Sequence, residues 1–114
     1  MDKETQEKIQ QLQLAEQSMQ TILLQKQQFQ SQLFEIENAL KELEKAEEAY
    51  KIVGNIMVLN KKEDLIKDLQ TKKETTELRI KTMEKQEKQI KEKSQEMQKK
   101  VMEKIKTEKS EKNE

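Results

Sequence analysis

Four carboxylates crowd one short stretch, Glu42, Glu44, Glu47 and Glu48, and no other set in this chain comes as close to a chemical constellation. Acidic side chains at such spacing are raw material for a divalent-cation site or for proton transfer. Here they lack partners. The sequence contains no histidine and no cysteine, which removes disulfides, thiolate and imidazole metal ligands, and histidine acid–base chemistry. It holds a single glycine, Gly54, and no phosphate-binding loop. An extended two-helix chain offers no pocket in which Ser, Lys or carboxylate groups would be shielded from water. The carboxylates therefore read as a solvated helix face. The chain is expected to be no enzyme and to carry neither metal nor cofactor.

What remains is the chemistry of binding, and it centres on Tyr50-Lys51-Ile52-Val53-Gly54-Asn55-Ile56-Met57-Val58-Leu59. Two apolar, largely β-branched runs flank Gly-Asn, the pattern of a two-residue hairpin in which Gly54 takes the positive φ of a type II′ turn. One face of that hairpin would carry Tyr50, Ile52, Met57 and Leu59. The other would carry Val53, Ile56 and Val58 beside Lys51. Isolated hairpins are marginal in water and expose hydrogen-bonding edges. Apolar residues on both faces fit hairpins that pair edge to edge and close into a β-barrel. The alternative is a hairpin that caps its own coiled coil.

The elements that position this hairpin are two long helices. Hydrophobic residues make up 32% of the chain and charged residues 40%, too polar for an ordinary globular core and suited to a coiled coil. There is no proline. A first helix is expected over about 3–49, the hairpin over about 50–60, a second helix over about 62–104 and a polar, frayed tail over about 105–114, all in one domain. The first helix carries a 3–4 repeat at Leu12, Ala15, Met19, Ile22, Lys26, Phe29, Leu33, Ile36, Leu40 and Leu43. The second carries a weaker one at Ile66, Leu69, Lys73, Thr76, Ile80, Met83, Glu87, Ile90, Ser94, Met97, Val101 and Lys104. A single fold-back about Gly54–Asn55 matches Leu43 with Ile66, Phe29 with Ile80, Met19 with Ile90 and Leu12 with Met97. The expected fold is mainly α: a long antiparallel two-helix coiled coil joined by one β-hairpin that oligomerises into a barrel.

Apolar residues also gather towards the helix ends remote in sequence from the hairpin. Leu14, Leu23, Leu24, Met102 and Ile105 fall off the seam, and methionines supply adaptable surface. Past the end of the seam the helices are expected to splay and expose Leu12, Val101 and their neighbours.

Charge excludes other classes. The 23 basic and 23 acidic side chains cancel, although residues 1–50 hold five lysines against ten acidic groups. Oppositely charged halves attract when folded together, and a neutral total argues against a nucleic-acid binder. No apolar run reaches bilayer length, and Met1-Asp2-Lys3-Glu4 opens no signal peptide. A soluble, cytoplasmic protein without membrane or nucleic-acid partners is expected.

The hairpin Tyr50-Lys51-x-x-Gly54, followed by Glu74-Thr75-Thr76-Glu77-Leu78-Arg79 and Gln86-Glu87, resembles the β-class subunits of archaeal-type prefoldin. That resemblance covers most of the chain. It implies a hexamer of two α-class and four β-class subunits whose hairpins form a double barrel from which coiled coils hang. It also implies an ATP-independent holdase that captures non-native polypeptide at coiled-coil tips and delivers it to a group II chaperonin. The oligomerising residues would be Tyr50, Ile52, Val53, Gly54, Ile56, Met57, Val58 and Leu59. The client-binding tip would comprise Leu12, Leu14, Met19, Met97, Val101, Met102 and Ile105. The rival readings are a structural spacer or tether without chaperone activity, and a nucleic-acid accessory using the basic second half.

Overall fold

The computed structural model describes residues 2–112; Met1 and residues 113–114 lie outside it. The order is α1 (Lys3–Lys45), β1 (Ala49–Val53), β2 (Ile56–Asn60) and α2 (Lys62–Lys112). α1 contains no glycine or proline and is built from good helix formers. Its start is capped by Asp2, whose Oδ1 accepts the Thr5 backbone N–H at 2.8 Å. At its end the Ala46 N–H is shared between the carbonyls of Glu42 (3.1 Å) and Leu43 (3.3 Å). The Lys62 ammonium donates to the Glu44 carbonyl at 3.0 Å, placing a cation at the negative end of the helix.

The helix stops four residues short of the expected position. Nothing in Ala46-Glu47-Glu48-Ala49 breaks a helix; the hairpin claims these residues because Ala49 pairs with Asn60. Tertiary pairing overrides local propensity here. The strands are antiparallel, with Val53 opposite Ile56, Ile52 opposite Met57 and Tyr50 opposite Leu59. Gly54 has φ +63° and no non-glycine described residue has positive φ. A positive φ at the first turn residue and a negative one at Asn55 is the type II′ combination.

α2 begins with Glu63 and Asp64 in its first turn, which complements the helix dipole. It then continues to Lys112. The segment expected as a polar tail is thus helical through Lys112, and residues 113–114 of that segment lie outside the described residues. The stretch lacks helix breakers and is rich in Lys and Glu, which sustain a helix without apolar residues.

The chain divides into two compact units, residues 26–82 and residues 1–25 with 83–114. In each, burial follows the 3–4 frame. In the hairpin-bearing unit Phe29, Leu33, Ile36, Leu40, Leu43, Ile66 and Leu69 are half-buried, while Thr76 and Ile80 are buried. Phe34 and Leu78, just off the frame, are exposed. The Arg79 guanidinium lies 5.6 Å from the Phe29 ring centroid, a cation–π contact that also fixes how α1 and α2 align there. Buried Thr76 leaves no orphan group, since its hydroxyl donates to the Lys72 carbonyl at 2.7 Å.

In the unit of helix ends, Leu12, Ala15, Met19, Met83, Ile90, Ser94 and Met97 are half-buried, and Ile22 and Val101 are buried. The expected splaying does not occur. Thr5 is only 3% exposed and Val101 only 7%, and Lys104 Nζ reaches Asp2 Oδ2 at 3.3 Å. The frame simply continues backwards through Lys8 to Thr5, so the helices stay paired.

Candidate assembly and polypeptide-binding surfaces

The hairpin leaves its apolar residues uncovered. Ile52 is 71% exposed and Ile56 67%, and Tyr50, Val53, Met57, Val58 and Leu59 are exposed with them. Pleating puts Tyr50, Ile52, Met57 and Leu59 on one face, and Val53, Ile56 and Val58 on the other with Lys51. The sheet has two strands only, so each strand carries one unpaired edge. Burying one such side chain is worth about 1.5–3 kcal/mol, and the single chain realises little of it. Tyr50 is tied locally: its hydroxyl donates to Glu48 Oε2 at 2.8 Å, and that carboxylate raises the phenol pKa above its ordinary value.

Beneath the hairpin, within the same unit, lies an open groove of about 590 Å³. Ala39, Leu43, Ala49, Ile52, Leu65 and Leu69 give it an apolar lining. The sequence hinted at it only through the alanines Ala39, Ala46 and Ala49, whose small side chains leave room between strand and helices.

The expected tip residues separate into groups. Leu14 and Met102 are exposed, each standing off the seam. Leu12, Met19, Met97 and Ile105 are half-buried. Val101 is a seam residue, packed because the helices do not part. Leu23 and Leu24 join Leu14 as exposed apolar groups on α1. A groove of about 540 Å³ also opens on this unit, bordered by Leu12, Met19 and Ile90.

The carboxylate cluster disperses. Glu48 accepts the Tyr50 hydroxyl, Glu42 borders the hairpin groove, and Glu44 bonds Lys62 only through its main chain. Among the described residues no group of three acidic, histidine or cysteine side chains is placed to hold a metal ion. No described helix is long and apolar enough to cross a membrane. Among the described residues Asp2 is an acid with a clear shift. Its bonds with Thr5, and then the Lys104 ammonium, lower its pKa to about 2, and the same contact raises that of Lys104.

Comparison with known proteins agrees with this architecture. Residues 6–108 match the profile of a family described as prefoldin subunit. The prefoldin subunit beta of Archaeoglobus fulgidus is 49% identical over 80 residues, which are 68% of this chain and 69% of that protein. The prefoldin subunit beta of Pyrobaculum neutrophilum is 40% identical over 76 residues, 64% of this chain and 60% of its own length. The crystal structure of the prefoldin beta subunit from Thermococcus strain KS-1 aligns with a TM-score of 0.83 at 32% identity. That alignment covers 90% of this chain and 92% of the other.

Proposed function

The chain belongs to the prefoldin family, as a subunit of the beta class, and from that premise we propose that it holds non-native polypeptide without nucleotide and passes it to a group II chaperonin. It serves as one of four β-class subunits beside two α-class subunits, in the cytoplasm. The role is one of binding, with no catalytic step. The observation that carries this reading is the hairpin, whose apolar residues stand exposed on both faces of a two-stranded sheet with free edges. Such a surface is stable in water only when other hairpins cover it.

In this reading Tyr50, Ile52, Val53, Gly54, Ile56, Met57, Val58 and Leu59 form the subunit contact. Client contact falls to Leu14 and Met102, supported by Leu12, Met19, Met97 and Ile105, while Val101 holds the seam beneath them. Each contact is weak, and several subunits engaging one client raise the avidity. The test is the mass of the chain alone and mixed with an α-class prefoldin subunit, followed by dilution of chemically denatured lysozyme into the mixture. A hexamer that suppresses lysozyme aggregation is the expected result. A chain that stays monomeric, or a hexamer that leaves aggregation unchanged, overturns the proposal and favours a spacer or tether.

A further inference from the structure

The sequence contains no cysteine, histidine or tryptophan, but six methionines. Thioether sulfur is therefore where a mild two-electron oxidant acts on this chain. Five of the six methionines lie among the described residues, and their surroundings divide them. Met19, Met83 and Met97 are half-buried in the 3–4 frame. Met57 on β2 is 65% exposed and Met102 on α2 is 63% exposed. An oxidant in solution meets these two sulfurs first.

Met57 differs from Met102 in what a new polar atom there disturbs. Its strand partner is Ile52, and both share a face with Tyr50 and Leu59. Val53 and Ile56 flank a two-residue loop and exchange main-chain hydrogen bonds, so Ile52 and Met57 form the next, non-hydrogen-bonded pair. The N–H and C=O of Met57 therefore point outward along the free edge, where a further strand pairs. The only polar side chain on that face is Tyr50, and its hydroxyl already donates to Glu48. A sulfoxide oxygen accepts hydrogen bonds and donates none, so on this face it finds no free donor.

We propose that Met57 is a modification site for peroxide: oxidation of the free chain blocks assembly, and assembly in turn shields the sulfur. The sulfur lone pair attacks one oxygen of hydrogen peroxide, an S–O bond forms and the O–O bond breaks. The proton on the transferred oxygen passes to the departing hydroxide, leaving a sulfoxide and water. Sulfur is oxidised by two electrons and the peroxide is reduced. The product is polar and chiral, and covering it with another hairpin buries its oxygen without a partner. Met102 takes up oxygen as readily but lies outside the hairpin, so its oxidation leaves assembly intact. The inference rests on the hairpin being the subunit contact, as proposed above, and adds a chemical control over it.

In the test, the full chain is treated with hydrogen peroxide and the excess is destroyed with catalase. Oxygen uptake at each methionine is read by peptide mass, and the chain is then mixed with an untreated α-class subunit. Met57 and Met102 should each gain one oxygen before Met19, Met83 and Met97. Half-assembly should then need at least about tenfold more protein, and the two methionine sulfoxide reductases should restore it. Peroxide added after assembly should oxidise Met102 and spare Met57. With each chain compared to its own untreated form, Met57→Leu should abolish the peroxide effect and Met102→Leu should retain it. The reductase step decides the same point on the unaltered sequence, even where Met57→Leu assembles poorly. Unchanged assembly by a chain oxidised at Met57, assembly that stays lost once Met57 is reduced, or full peroxide sensitivity in Met57→Leu overturns the inference and leaves the hairpin contact standing. Failure of the untreated chain to assemble, or equally fast oxidation of Met57 before and after assembly, overturns both.

Discussion

The two units shelter side chains at the same 3–4 spacing and leave different surfaces behind. In residues 1–25 with 83–114 the exposed large apolar side chains among the described residues are few and spread over two helices, Leu14, Leu23 and Leu24 on α1 and Met102 on α2. In residues 26–82 the seam is joined by a hairpin on which Ile52, Val53, Ile56, Met57, Val58 and Leu59 are all exposed together. Scattered apolar residues are normal on any protein surface. A contiguous two-faced patch with open strand edges is a surface awaiting a partner. Under the proposed function, the difference would separate a region completed by permanent association from one left available for transient contacts.

The sharpest way to break this distinction is to charge the hairpin. Ile52→Lys with Ile56→Lys places one lysine on each face, and both positions are exposed in the single chain. Assembly with an α-class subunit should be lost outright, read as mass in solution. Helix content and melting of the isolated chain should change little, since exposed substitutions usually stay within about 0.5 kcal/mol. A chain that melts much earlier would mean that the hairpin is internal packing and not an interface.

A second pair of substitutions compares seam with surface. Ile80→Ala removes one of the few buried apolar side chains and should cost about 2–4 kcal/mol in denaturant unfolding. Phe34→Ala removes a larger side chain that stands exposed and should cost no more than about 0.5 kcal/mol. Similar losses from both would place the seam wrongly.

Smaller again is Gly54→Ala. A Cβ at Gly54 would meet nothing within 4 Å, so the penalty is the left-handed backbone alone, about 1–2 kcal/mol. It should appear as weaker assembly with an unchanged helix spectrum, whereas an assembly of unaltered strength would show that the turn is not held in this form.

The smallest effect lies at the other unit. The pKa of Asp2 falls from 3.8 to about 2 on folding, so its contribution is present above about pH 4 and fades as pH drops towards 2. Lys104 is shifted upwards, so its share is present below the ordinary lysine pKa and is lost as pH rises through the raised one. Asp2→Asn still caps the helix but cannot titrate. Melting curves between about pH 5 and pH 2 should therefore fall more steeply for the native chain than for Asp2→Asn. Parallel curves would remove the ion pair from the account.

Much of this was legible in the residues. The hairpin register follows from Gly54 and the alternating runs around it, and the 3–4 spacing names the residues that become sheltered. Lys104 is the one seam position left exposed. The end of α1 was not legible, because Ala46-Glu47-Glu48-Ala49 favours helix and yields only to pairing with β2. The extent of α2 differs for the opposite reason: few apolar residues point to fraying, while Lys and Glu sustain a helix without them. The two grooves leave little trace in the sequence, because short side chains such as Ala39, Ala46 and Ala49 border one and Ala15 and Ser94 the other, and absence of volume leaves a faint mark in a periodic pattern.

Gly54 and Asn55 have one more consequence, for how such a chain can change its length. The strand pairing is counted outward from this two-residue pivot, and in the sequence the 3–4 spacings of both helices are numbered symmetrically about it. Inserting a single residue in one helix would shift every layer beyond it out of step. Adding a whole heptad to each helix at matching positions would preserve every pairing already present. Descendants of this sequence can therefore lengthen or shorten freely only by paired edits, one in each arm of the sequence, and a lone insertion should survive only near the two ends.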